Sequence, residues 1–293
     1  MSITITAELV KKLRERTNAA MMDCKKALVE AEGDIEKAIE LMRKTGIAKA
    51  VKKGDRIAAE GTILVLPSSD AKFAVLVEVN CETDFVARQE KFQNFAKEVG
   101  AKALQSKIST LEVLQQTFDE SRLHLISEIG ENITLRRYAF CEAPAGGIIG
   151  TYAHGDAAGH RIGTCVVLKK GSLELAKDLA MHVAALNPEY VSSDQVPANR
   201  LEKEKEIFIE QTRQEGKPEA MFEKIVAGKL KKFSTDITLL GQSFVKDPSK
   251  TVEALLKESG AEVHSFIRFE VGEGIEKKED NFVQEVMQQV KGE

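Results

Sequence analysis

Hydrophobic spacing in this chain switches from helical to strand-like beyond residue 60, returns to helical near residue 90, and then runs through a similar order again. Few cores fit such a pattern, because a strand buries alternate residues while a helix buries a stripe at i, i+3, i+4 and i+7. Thr62–Leu66 and Phe73–Val79 read as strands joined by a Pro67-Ser68-Ser69-Asp70 hairpin turn. Phe92, Phe95, Ala96, Val99 and Ala103 form one helical stripe. Ser109 with Glu112 matches a capping box opening a further helix, Leu123, Ile126 and Ile129 mark another before Gly130, and Ile133–Phe140 returns to strand. The second half repeats the order with strands at Ile148–Ala153 and Ile162–Leu168, a helix striped by Leu175, Ala176, Leu179, Val183 and Leu186, and a strand at Val263–Val271. The expected class is α+β, with a two-subdomain core of antiparallel sheets, each covered by helices on one face.

Flanking and interrupting this core are purely helical segments. Leu9, Val10 and Leu13, then Cys24, Ala27, Leu28 and Ala31, then Ile35, Ala38, Ile39 and Met42 predict three short helices. Gly33-Asp34 reads as a stop followed by an N-cap, Thr45-Gly46 as the end of the third helix, and residues 49–55 as a linker. After a loop bounded by Pro188 and Pro197, and before the last strand, Ala198–Gln214 and Glu219–Phe233 read as a charged helical hairpin broken at Gly216-Lys217-Pro218. It is either a solvated spacer or a packing surface for a copy or a partner. Asp280–Val290 suggests a detached amphipathic C-terminal helix. The expected divisions are 1–54, 55–145, 146–187 with 234–274, the inserted hairpin 188–233, and 275–293.

Composition then narrows function. With 42 Lys or Arg against 46 Asp or Glu the chain carries a formal −4, so no general attraction draws it to a polyanion and direct nucleic-acid binding is not expected. Residues 1–53 hold 12 basic and 8 acidic side chains, a mild local excess that reads either as solvated helix faces or as a contact for an acidic protein surface. Cys24, Cys81, Cys141 and Cys165 are far apart and read as reduced core thiols, and with no apolar run of membrane-span length or signal type a cytoplasmic location is expected. Gly146-Gly147-Ile148-Ile149-Gly150 precedes a strand, where a phosphate loop would need a helix, so it reads as a turn. His124, His154, His160, His182 and His264 lack metal-type pairing, and no nucleophile elbow occurs. No cofactor, metal or covalent catalysis is expected.

What remains is an oddly apolar turn. Cys81-Glu82-Thr83-Asp84-Phe85-Val86-Ala87-Arg88 follows the most apolar strand, where polar capping residues are the rule. In one reading Asp84 caps the helix and Phe85 and Val86 fold back as a staple. In the other, Phe85 is held outward as an aromatic wedge for a partner's pocket. Met21-Met22 poses a similar choice between core packing and an adaptable contact surface. Tyr152-Ala153-His154-Gly155 places His154 at another strand-end rim.

Several segments together resemble the bacterial elongation factor Ts family. They are Leu13-Arg14-Glu15-Arg16-Thr17 with Met22-Asp23-Cys24-Lys25-Lys26-Ala27-Leu28, then Glu78-Val79-Asn80-Cys81-Glu82-Thr83-Asp84-Phe85-Val86, then Ile129-Gly130-Glu131-Asn132, and finally Gly216-Lys217-Pro218 and Phe266–Gly274. The resemblance implies that the N-terminal bundle is ubiquitin-associated-like, that the hairpin is of dimerisation type, and that the partner is the GTPase elongation factor Tu, GDP-bound or nucleotide-free. It further implies that Thr83, Asp84, Phe85 and Val86 disturb the partner's Mg²⁺ site. Met21, Met22, Ile129, Gly130 and His154 would supply neighbouring contacts, and GDP would exchange for GTP without covalent chemistry. A homodimer or heterotetramer through the hairpin stays open. Asn18-Ala19-Ala20 stands where the family usually has glycines, and the longer loop from Gly155 leaves His160 as the rival to His154, which the Tyr-x-His-Gly match favours. The alternative function is a non-catalytic adaptor whose bundle binds a ubiquitin-like or signalling partner.

Overall fold

Alternation of buried residues in Phe73–Cys81 places Val75, Val77 and Val79 on one face and Ala74 and Leu76 on the other, and both faces are covered. The structure is a computed structural model describing residues 5–17, 21–156, 159–216 and 218–276, with the side chains of 47–49 and 219 excepted. Strand β1 (Glu60–Pro67) pairs antiparallel with β2 (Phe73–Cys81), which pairs antiparallel with β3 (Ile133–Glu142). The second sheet is built the same way from β4 (Ile148–Asp156), β5 (Gly159–Lys170) and a last strand, Glu262–Glu270. One face of each sheet turns toward the other, and Ala74, Leu76, Cys141, Ile149, Cys165 and Val167 fill the space between them. All four cysteines are buried thiols, and none is in a disulfide.

Helices close the outer faces. Over the first sheet lie a short helix, Asp84–Ala87 (α4), then α5 (Glu90–Gln105) and α6 (Leu111–Ile129), whose Phe92, Phe95, Val99, Phe118 and Ile126 meet the outward valines. Over the second lies α7 (Leu173–Leu186), with Leu179 and Val183 packed on Val166 and Leu168. The fold is therefore α+β, with the two halves in contact through their bare sheet faces, which neither half's pattern predicted.

The N-terminal helices are α1 (Ala7–Thr17), α2 (Met21–Glu30) and α3 (Ile35–Val51), with Asp34 capping α3 by accepting from Lys37 N at 3.0 Å. Their shared core is Val10, Leu13, Cys24, Leu28 and Ala38. Contrary to expectation α3 does not stop at Thr45-Gly46 but runs to Val51, into the segment read as linker. Gly46 is used for close approach: a Cβ there would stand 2.5 Å from Ser127 Oγ and 3.3 Å from Ser127 Cβ of α6, so a larger side chain would crowd this crossing. Two expected helices, at Ser109 and at Leu123, are likewise one, and its cap is Thr110, which accepts from Val113 N, in place of Ser109.

The hairpin comprises α8 (Ala198–Gln214) and α9 (Phe222–Asp236), touching through Phe208 and Phe233 rings 6.2 Å apart. Beyond it the sequence pattern missed a small hairpin, β6 (Ser243–Phe244) with β7 (Asp247–Thr251), and the helix α10 (Val252–Ser259) that leads into β8, the Glu262–Glu270 strand. These elements are too short to show a period. The helix expected at Asp280–Val290 and the Asn18-Ala19-Ala20 loop lie outside the described residues.

Candidate functional site

Strand β2 ends at Cys81, and within three residues the backbone has turned into α4. Thr83 makes that turn possible: its extended backbone (φ −125°, ψ 155°) and its hydroxyl, accepting from Val86 N at 3.3 Å, form the N-cap. Asp84 is therefore not the cap the sequence suggested. It lies one residue inside the helix, exposed, with its carboxylate 3.6 Å from Arg88 one turn on. The staple is only half formed, since Val86 is buried at 4% exposure while Phe85 stands 77% exposed.

The chain around Phe85 is held from below. Cys81 Sγ donates to Thr83 O at 3.2 Å, and burial, with the nearby carboxylates of Glu131 and Glu60, pushes that thiol's pKa up. Glu131 Oε2 accepts from the backbone N–H groups of Glu82 (3.1 Å) and Thr83 (3.0 Å), and its Oε1 accepts from Thr83 Oγ1 at 2.7 Å. The clasp is returned from the other side, where Glu82 Oε1 accepts from Asn132 N at 2.6 Å. Two carboxylates on adjoining turns thus each satisfy the other turn's amides, for which acceptors are scarce in a partly buried place.

The second turn exists because Gly130 ends α6 in the left-handed region at φ 94°, donating back to Ile126 O. Its own carbonyl accepts from Lys53 Nζ at 2.6 Å, and Asn132 Nδ2 donates to Gly54 O and Arg56 O. Ile129 and Gly130 are half-buried beside the Thr83 turn, so those two predicted groups come together. Glu131, Glu82 and Lys53 were missed as site residues. The available signal was a carboxylate directly after the glycine stop.

Met21 and Met22 open α2 and are 57% and 62% exposed, outside the bundle core. Their bundle meets the core where α3 crosses α6, upstream of Gly130. His154 lies on β4 of the other sheet, exposed, with its ring stacked on Tyr152 at 6.3 Å and its Nδ1 3.3 Å from the Tyr152 hydroxyl. His160 is also exposed, and its backbone N–H donates to Thr62 Oγ1 at 3.1 Å. His182 and His264 stand in α7 and β8, and only the former is buried. Among the described residues no cluster of His, Cys, Asp and Glu is placed to hold a metal ion, and no helix is long and apolar enough to cross a membrane.

What this arrangement offers is a rigid, outward aromatic, with adaptable apolar contacts elsewhere on the surface. Comparison with known proteins bears on the chain as a whole. The family model described as Elongation factor TS matches residues 82–273, beginning within the turn and ending after β8. Elongation factor Ts of Thioalkalivibrio sulfidiphilus is 53% identical over 99% of this chain and 100% of its own length. The Legionella pneumophila protein of the same name is 54% identical over 98% and 99%, and that of Yersinia pestis 54% over 97% of each. With the turn, the sheets and the helical additions all inside such matches, the chain belongs to the elongation factor Ts family.

Proposed function

We propose that this protein binds elongation factor Tu, in its GDP-bound and nucleotide-free forms, and promotes exchange of GDP for GTP by disturbing the partner's Mg²⁺ and phosphate site. The observation that carries the reading is Phe85, a large apolar side chain 77% exposed on a turn pinned by backbone, hydroxyl and carboxylate contacts. Such a side chain gains about 1.5–3 kcal/mol on burial in a pocket, with little ordering cost because its backbone is already fixed. Mg²⁺ demands near-ideal octahedral oxygens partly supplied by nucleotide phosphates, so a small displacement of its surroundings loosens GDP.

In this reading Thr83, Asp84, Phe85 and Val86 form the wedge, while Met21, Met22, Ile129, Gly130 and His154 contact the partner around it. The bundle of residues 1–54 docks separately from the core of 55–145, 146–187 and 234–274, the hairpin 188–233 serves assembly, and 275–293 forms a C-terminal module. Linkage makes the action symmetrical: the factor weakens GDP binding as much as GDP weakens the factor's binding, so excess GTP gives direction. Release of a fluorescent GDP analogue from purified elongation factor Tu tests the proposal. The wild-type chain accelerates release, and Phe85→Ala lowers that acceleration by roughly 10–100-fold while the melting temperature is unchanged. An unchanged release rate with Phe85→Ala removes the wedge, and no acceleration by the wild-type chain leaves an adaptor.

A further inference from the structure

We infer that Glu131 is a positioning residue for Phe85: its carboxylate, reaching across from the turn after α6, sets the backbone from which the aromatic projects. This rests on the exchange reading above and adds to it a residue that touches neither nucleotide nor magnesium. The Glu131 side chain takes three donors from two consecutive residues, Glu82 N, Thr83 N and Thr83 Oγ1, at 2.7–3.1 Å. The last bond uses the hydroxyl proton and leaves the Thr83 oxygen free to accept from Val86 N, so one hydroxyl joins the clasp to the helix cap. Without the carboxylate, two amide donors and the cap hydroxyl turn to water, and nothing on Phe85 itself opposes its movement, since it is 77% exposed. Arg56 Nη1, 3.5 Å from Glu82 Oε1, and Lys53 on Gly130 O tie the segment before β1 to the same point.

The chain contains no tryptophan, so Phe85→Trp makes a fluorophore without background at the place in question. In that variant Glu131→Ala lowers the indole fluorescence anisotropy of the free protein. In exchange assays on elongation factor Tu, with Phe85 restored, Glu131→Ala lowers the maximal GDP-release rate roughly tenfold while the half-saturating concentration moves less than about threefold, because the wider contact surface is intact. Glu131→Gln retains most of the rate and anisotropy: its amide oxygen accepts from both N–H groups and its NH₂ donates to the Thr83 hydroxyl. Thr83→Val, which deletes the shared hydroxyl, lowers both readouts and serves should Glu131→Ala fail to fold.

Unchanged anisotropy in Glu131→Ala and Thr83→Val overturns the inference, whatever happens to exchange. Equal loss of exchange rate in Glu131→Gln and Glu131→Ala, with the anisotropy of Glu131→Gln as in its parent, also overturns it, since charge facing the partner would then be the cause. If Phe85→Ala leaves GDP release untouched the wedge fails, and if the wild-type chain gives no acceleration the exchange reading fails; in either case the anisotropy alone decides whether Glu131 holds the turn.

Discussion

A single buried imidazole shows how far residue identity can be pushed by its surroundings. His182 on α7 is fully buried, stacks on Phe244 at 5.9 Å, accepts from Val245 N through Nδ1 at 3.1 Å, and has Nε2 3.0 Å from Gln242 Oε1. The first bond requires a bare Nδ1, so Nε2 carries the proton and donates to Gln242. Burial holds the ring below its ordinary pKa of 6.5, only partly opposed by the Gln242 bond. Because the unfolded chain then takes the proton more readily, the neutral ring's contribution is complete above pH 6.5 and is lost as pH falls through the lowered folded value. Urea-unfolding free energy should therefore decline on acidification below pH 6.5, and His182→Phe, though less stable at neutral pH, should decline less steeply. Parallel pH slopes for the two proteins would show that other groups carry the acid sensitivity. At this scale the turn at Thr83 was half legible: a capped helix start with an exposed aromatic could be read locally, but Glu131 is 48 residues away from its partner and no local pattern couples them.

Among the elements, α3 is one whose extent the sequence misreported. A Thr-Gly pair after a helical stripe normally marks a C-terminus, yet α3 continues because α6 rewards the missing Cβ with a close crossing. Arg43 adds an ion pair to Glu120, and Lys53, just past the helix end, reaches Gly130 O. Replacing Gly46 by Leu should overpack this crossing at about 1–3 kcal/mol. Amide exchange should then quicken in α1 to α3 and stay as in wild type in β2 and β5, and uniform protection would place the docking elsewhere. The same reasoning covers α6, seen by periodicity as two helices because its middle stripe is broken by Gln115, Gln116 and Asp119.

Across the whole molecule, the two sheets meet over the Leu76 and Val167 layer and are joined at one edge by charge. Glu78 on β2 is fully buried and receives Arg136 Nη1 at 3.1 Å, Arg137 Nε, and the backbone N–H of Gly272 at 2.9 Å. Arg137 continues to Glu273 Oε2 at 2.9 Å, so the cluster spans from the first sheet to the turn after β8. Removing one partner of a buried pair typically costs about 3–5 kcal/mol, because the others keep their desolvation cost. Glu78→Gln should thus lower the melting temperature by roughly 10 °C, measured calorimetrically, and a change within about 2 °C would show that solvent screens the arginines. The type and repeated order of the longer helices and strands were readable from residue spacing, because burial periodicity is local. Which bare sheet face meets which, where α3 ends, and why Phe85 faces outward depend on contacts such as Glu78 to Gly272, Gly46 to Ser127 and Glu131 to Thr83. Those pairs are distant in sequence, and close packing with satisfied hydrogen bonds selects them only once the chain has folded.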